Sequence, residues 1–247
     1  MEVYAGMVNN MDYHFGRVAR FLEDIGEYEN TVIVFLSDNG PNPWYSEDYP
    51  GNRGSRFLAQ FDNGIDNVGN PMSHYAYGPG WASAGSGPLD RFKMTVAEGG
   101  IRSPMFVSGP GVEGGRRVDA FAYVTDVMPT ILDMAGVEHP REYAGRKVER
   151  MRGVSLAGVL SGDRAEVYGP DALVGGEMQN GKWMRKGDLK AVSVAPPFGS
   201  GEWKLYDLAK DPGETRDLGS EMPETLDRLI EAWESYADDV GVVLTER

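Results

Sequence analysis

The stretch Asn30-Thr31-Val32-Ile33-Val34-Phe35-Leu36-Ser37-Asp38-Asn39-Gly40 decides how this chain is read. Thr31 to Leu36 is an unbroken β-branched and apolar run that stops at a carboxylate, a carboxamide and a glycine. Such a run reads as a strand buried on both faces, at the centre of a parallel or mixed sheet. Ligands of these sheets collect at the carboxyl ends of the strands. Asp38 and Asn39 would stand at one of those ends as two adjacent hard oxygen donors, chemistry suited to Ca²⁺ or Mg²⁺. The same residues also fit an Asx or Asn-Gly turn, and the run alone does not separate the two readings.

Upstream, Tyr4, Met7, Met11, Phe15, Val18, Leu22 and Ile25 recur at helical spacing and Gly26 supplies a stop. A helix leading into a buried strand is α/β grammar. Residues 38–90 are rich in Gly, Asn, Pro, Ser and aromatics, which marks a long functional loop. Pro104 to Val107 is a short strand candidate, and Asp126 to Ala135 a helix with Asp126 as N-cap and Gly136 as stop. From about residue 150 the texture changes. Leu173-Val174, Trp183-Met184, Leu189 to Val194 and Trp203 to Leu208 read as an antiparallel meander. A closing amphipathic helix starts at Pro223, with Leu226, Leu229, Ile230, Trp233, Tyr236 and Ala237 on one face. The expected fold class is therefore α/β: part of a mixed sheet with flanking helices over 1–149, then a small antiparallel-sheet subdomain with a C-terminal helix over 150–247.

The 247 residues are 41% hydrophobic, enough for one large domain or two small ones, and carry a formal charge of −14. That balance argues against nucleic-acid binding and against attraction to anionic lipid. With no cysteine, disulfides, thiolate metal sites and a Cys nucleophile are excluded. No apolar stretch is long enough for a membrane span, and the N-terminus lacks the pattern of a signal peptide, leaving the compartment open.

Three further stretches matter together. Tyr77-Gly78-Pro79-Gly80-Trp81-Ala82 precedes Lys93, which stands five residues before Glu98-Gly99-Gly100-Ile101-Arg102. Thr125-Asp126-Val127-Met128-Pro129-Thr130-Ile131-Leu132 follows, and then Trp203 to Leu208 leading to Asp211-Pro212-Gly213-Glu214. In this order the chain resembles the C-terminal part of the arylsulfatases of the alkaline-phosphatase superfamily, closest to their calcium-dependent bacterial branch. The resemblance implies that Asp38 and Asn39 are metal ligands, with Ca²⁺ the implied cofactor and another divalent metal an alternative. It implies that Lys93 holds a sulfate oxygen in the transition state, a task suited to a compact ammonium. The catalytic expectation rests on Lys93 and Asp38. The Glu98-Gly-Gly turn would let the backbone pass close beneath the site.

The family's nucleophile arises within a Cys/Ser-x-Pro-x-Arg motif. Ser86-Gly87-Pro88-Leu89-Asp90 carries Asp where Arg is required and stands in the wrong part of the order. The expectation is a chain without that nucleophile, the remaining metal ligands and a substrate histidine lying, in the family, before this segment. His74, in the aromatic loop, is an additional candidate as ligand or general base, although a satisfied loop histidine is the commoner fate. Gly109-Pro110-Gly111-Val112-Glu113-Gly114 matches G-x-G-x-x-G without a following helix pattern and is set aside. Asp62-Asn63-Gly64-Ile65-Asp66 fails the EF-hand pattern at its third and twelfth positions.

These readings converge on a metal-dependent hydrolase of sulfate or phosphate esters. The alternatives are a half that needs a complementary N-terminal chain, or a binding module. Extra ligands would come from Asp48, Asp62, Asp66, His74 or a partner subunit. Exposed sheet edges and apolar surface lead to an expected two-fold homodimer.

Overall fold

A computed structural model describes residues 1–49 and 56–245. In chain order its regular elements are α1 (Glu2–Asp24), β1 (Ile33–Leu36), α2 (Gly78–Ser86), α3 (Glu98–Ile101), β2 (Met105–Ser108), α4 (Val127–Met134), β3 (Glu142–Tyr143), β4 (Arg146–Lys147), α5 (Ala157–Leu160), β5 (Leu173–Met178), β6 (Gly181–Lys186), β7 (Leu189–Ser193), β8 (Trp203–Asp207) and α6 (Pro223–Val240). This is a mixed α/β architecture with small antiparallel sheets and a C-terminal helix. Among the described residues, no helix is long and apolar enough to cross a membrane. The contacts divide the chain into two compact units. One comprises Met1–His14, Leu36–Pro104 and Leu173–Arg247, the other Phe15–Phe35 and Met105–Ala172.

The first unit is organised by the meander β5-β6-β7-β8, antiparallel throughout and in sequence order. Gln179 and Asn180 join β5 to β6 with φ of 52° and 65°, the paired left-handed conformation that matches strand twist in a tight hairpin. Register places Met184, Ala191 and Leu205 side by side across three strands. They pack with Leu229 and Trp233 of α6 in one buried cluster, which Leu226, Tyr236 and Ala237 flank. Burying a side chain such as Leu229 contributes roughly 1.5–3 kcal/mol. The Trp233 Nε1–H donates to the Gly176 carbonyl at 3.1 Å, so the indole's polar edge is satisfied as well. Helix α6 begins on Pro223, where a missing N–H costs nothing, and ends at Gly241 with φ of 71°. The opposite face of the sheet carries Trp183 and Val192, which pair across β6 and β7, and Lys190 and Tyr206, which pair across β7 and β8.

In the second unit, β1 and β2 form a two-stranded sheet. Phe35 of β1 and Phe106 of β2 stack at 5.0 Å, and Phe15 of α1 meets both edge-on. The expected burial of the strand on both faces is corrected here. No residue of β1 or β2 is buried, and Leu36 and Phe106 are 38% and 45% exposed. A two-stranded sheet lacks the neighbours that would cover it, and none of the 23 residues of α1 is buried either. Gly26 does stop α1: its φ is 73°, and the Glu27 N–H donates back to the Leu22 carbonyl. Gly136 stops α4 in the same way, with the Val137 N–H donating to Leu132.

Asp126, expected as a helix cap, stands at the N-cap position of α4, but its side chain makes no capping bond to that helix and is used elsewhere. It is fully buried, and its carboxylate accepts the N–H of Tyr123 at 2.7 Å, the N–H of Val154 at 2.9 Å and the Tyr168 hydroxyl. Thr130 relays the same pinning to the Leu156 N–H at 2.8 Å. Leu156, Val159 and Val167 form the small core of this unit.

Candidate functional site

The site is built from two segments of the first unit that are stitched together by their backbones. Just past β1, the Ser37 N–H donates to the Pro104 carbonyl at 3.1 Å and the Ser103 hydroxyl donates to the Ser37 carbonyl at 2.7 Å. Asp38 follows with its carboxylate exposed, and Asn39 is half-buried. The Asn39 side-chain amide donates to the Gly40 carbonyl at 2.9 Å, which fixes the side chain's orientation. Gly40 is buried and its N–H donates to Gly100 at 2.9 Å. A Cβ on Gly40 would overlap the Gly99 carbonyl oxygen, so only glycine permits this approach.

The Glu98-Gly99-Gly100 turn is held as closely on its other side. The Gly99 N–H donates to Asp90 at 2.7 Å. A Cβ on Gly99 would overlap the Asp90 and Arg91 carbonyls, and one on Gly100 the Thr95 carbonyl. Arg91 and Met94 take left-handed φ of 65° and 77°, bending the chain on both sides of Lys93. The Lys93 N–H donates to the Pro41 carbonyl at 3.0 Å, so its backbone lies three residues beyond Asp38 along the facing segment. Two motifs more than fifty residues apart thus share one backbone junction.

Beneath the turn lies a buried ion network. Lys190 of β7 is 1% exposed, and its ammonium donates to the Val96 carbonyl at 2.9 Å and to Glu98 Oε1 at 2.8 Å. It also lies 2.9 Å from Glu214 Oε1, an ion-pair contact outside hydrogen-bond alignment, which leaves that oxygen without an aligned donor. Glu214 Oε2 accepts the Glu98 N–H at 2.7 Å. Glu214 itself sits at φ of 51°, strain that the surrounding contacts maintain. Burial pushes its carboxyl above the ordinary carboxylate range, against the opposing pull of Lys190. Tyr206, beside the network, is pushed up to about 12 by burial and then by the Asp217, Glu214 and Asp90 carboxylates.

The described hydrogen bonds tie Lys93 to Pro41 and Gly40 to Gly100, next in the chain to Asp38 and Asn39, and tie the His74 backbone to Asn63 and Ser46 instead. The His74 ring packs against both Phe57 and Phe61, 5.3 and 5.1 Å away, with Nδ1 buried and without a hydrogen-bond partner. Its backbone N–H donates to Asn63. Asp62 caps the Gly64 N–H at 3.0 Å. Among the described residues, no group of three His, Cys, Asp or Glu side chains gathers to hold a metal. Ca²⁺ takes six to eight oxygens, so Asp38 and Asn39 do not by themselves make a complete site.

Lys190 escaped the sequence reading, which counted it only as part of the strand Leu189 to Val194. The available signal was a lysine between Leu189 and Ala191 in an otherwise apolar run, where a long cation without a partner is costly.

A family model described as Sulfatase matches residues 1–137. An uncharacterized sulfatase of Schizosaccharomyces pombe is 38% identical over 245 residues, covering 98% of this chain and 44% of the relative. An arylsulfatase of Klebsiella aerogenes is 40% identical over 164 residues, covering 64% of this chain and 34% of the relative. The chain therefore spans less than half the length of these relatives. Among solved structures, Ps i-CgsB in complex with k-i-k-neocarrahexaose superposes with a TM-score of 0.65 at 21% identity, covering 95% of this chain and 42% of that one. BT4656 in complex with its substrate D-glucosamine-2-N,6-O-disulfate superposes with a TM-score of 0.57 at 22% identity, covering 94% and 39%. At these identities the structural likeness establishes the fold alone. The extent of the family match establishes more: the chain belongs to the sulfatase family.

Proposed function

We propose that this chain forms the ester-binding part of a sulfatase-like hydrolase acting on sulfate esters, with phosphate esters as the secondary substrate class. One observation carries the reading. The Asp38-Asn39 strand end and the Lys93 segment are locked together through Gly40, Pro41 and the Gly99-Gly100 turn. In this reading Lys93 places an ammonium on a nonbridging oxygen of the ester, where charge grows as the bond to the leaving group breaks. Asp38 and Asn39 supply hard oxygens beside it. The divalent metal that sulfatases generally use, Ca²⁺ by resemblance, would need donors beyond these two.

A second reading is supported by that same two-donor set, which falls short of the six to eight oxygens that Ca²⁺ takes. In it the chain acts only with a complementary polypeptide that brings the nucleophile and further ligands. The apolar side chains exposed on α1 and β2, Met7 and Phe106 among them, favour association, most simply as a two-fold dimer. A monodisperse monomer by light scattering would count against the dimer.

The test is hydrolysis of an aryl sulfate, an aryl phosphate monoester and an aryl phosphotriester by the purified chain, with and without chelator, beside Asp38→Ala. Chelator-sensitive turnover lost in Asp38→Ala is the expected result for a self-sufficient site. Absence of turnover, restored by a separately expressed N-terminal sulfatase half, selects the second reading. No turnover under either condition, with bound metal equal in wild type and variant, overturns both.

A further inference from the structure

The buried network of Lys190, Glu98 and Glu214 has no place in ester chemistry. It lies under the turn, and none of its three side chains is exposed enough to meet a substrate. A buried ion triad is poor evidence for stability, because desolvation offsets most of the attraction. Its geometry points instead to what it immobilises. Glu98 is gripped twice, by its carboxylate on Lys190 and by its backbone N–H on Glu214. Lys190 also holds the Val96 carbonyl two residues earlier. Gly99 and Gly100 follow directly, and these two place Gly40 and, through Pro41, Lys93. Glycines give the turn no side-chain anchor of their own, so the grips on Glu98 and Val96 add to the backbone bonds that hold it.

We propose that Lys190, Glu98 and Glu214 form an ion lock that positions the active-site turn. The lock sets the spacing between the Asp38-Asn39 strand end and the Lys93 segment from the β7 side of the sheet. Lys190 and Glu214 are thus positioning residues, contributed by the antiparallel meander to a site whose ligand-facing groups all lie before residue 103. Their role in catalysis rests on the ester-binding reading above; their role in placing the turn does not.

Glu98→Ala is the most informative variant, because Lys190 and Glu214 remain as a balanced pair and no orphan charge is left buried. Amide hydrogen exchange is followed by NMR at Gly40, Gly99 and Lys93, and at Trp183 in the sheet as reference. The affinity for inorganic sulfate is measured by titration in the same samples. In Glu98→Ala, exchange at these three junction amides should rise about tenfold while Trp183 is unchanged, the signature of local rather than global opening. Sulfate affinity should fall in parallel. Glu98→Gln, whose amide oxygen can still accept from Lys190, should restore most of both.

A uniform rise at the turn and at Trp183 would mean that the triad only stabilises the fold, and would overturn the inference. So would unchanged exchange at Gly40 and Lys93. The ester-binding reading fails separately: Lys93→Ala binding sulfate as tightly as wild type would refute it while leaving the exchange pattern to decide the lock.

Discussion

Replacing Lys190 by methionine isolates the electrostatic problem of the buried network. Methionine keeps the length and apolar stem of the side chain and removes the ammonium, which is 2.8 Å from Glu98 and 2.9 Å from Glu214. Two carboxylates are then left without their cation, and the Val96 carbonyl loses its donor. Removing one partner of a buried pair costs roughly 3–5 kcal/mol, and the third broken contact places this variant at the upper end. Against a total stability of about 5–15 kcal/mol, that is a large fraction.

The loss should depend on pH. Burial already holds the Glu214 carboxyl above its ordinary range, and Lys190 is the strongest influence pulling it back. A group whose folded value is raised binds its proton more tightly when folded, so its contribution to stability falls as pH rises through that window. Without Lys190 the carboxyl rises further and the window extends toward neutrality. The penalty of Lys190→Met should therefore be largest at neutral pH and shrink on acidification, with a limiting slope of roughly 1.4 kcal/mol per pH unit for one proton. Urea unfolding followed by tryptophan fluorescence reads this directly, since Trp183, Trp203 and Trp233 all belong to the meander and its helix. Lys190→Met/Glu214→Gln should recover on the order of 1 kcal/mol or more of the loss, as expected for coupled neighbours. A loss below about 1 kcal/mol, independent of pH and indifferent to Glu214→Gln, would mean that the carboxylates find water when the lysine is gone, contrary to the burial argument.

Two other perturbations test the junction and the second unit. Gly40→Ala forces a Cβ into the Gly99 carbonyl, so the strand end and the turn must separate; ester turnover or sulfate binding should fall at least about tenfold, with a stability loss of roughly 1–3 kcal/mol. Wild-type kinetics and affinity in Gly40→Ala would show that the close approach is dispensable. Asp126→Ala strands the N–H groups of Tyr123 and Val154 and the Tyr168 hydroxyl in a buried place, and should cost roughly 3–5 kcal/mol in a denaturant melt. Asp126→Asn, which keeps one acceptor, should lose less; equal losses for the two would contradict the assignment of three accepted bonds.

How much of this was legible beforehand differs from element to element. Helix α6 was visible because Pro223 and an apolar stripe at helical spacing are local signals, and the structure has the helix at Pro223–Val240. The meander was visible because its turns punctuate it every few residues. The strand at 33–36 was visible too, but its burial was not: an apolar run records what a strand is suited to, whereas exposure depends on which neighbours the sheet has. Asp126 looked like a cap because only its own helix is local to it, whereas Val154 and Tyr168 are brought to it by the fold.

The sequence by itself determined the order of the elements and the donors offered by Asp38, Asn39 and Lys93, because strand runs, caps, glycine stops and side-chain chemistry are properties of short segments. Only the tertiary structure decided that Gly40 lies against Gly99, that Lys93 is registered on Pro41, and that Lys190 and Glu214 close on Glu98 from 92 and 116 residues away. No local pattern encodes such meetings. They follow from packing and from the cost of leaving a buried charge or backbone group without a partner, and these forces act only once distant segments have been brought together.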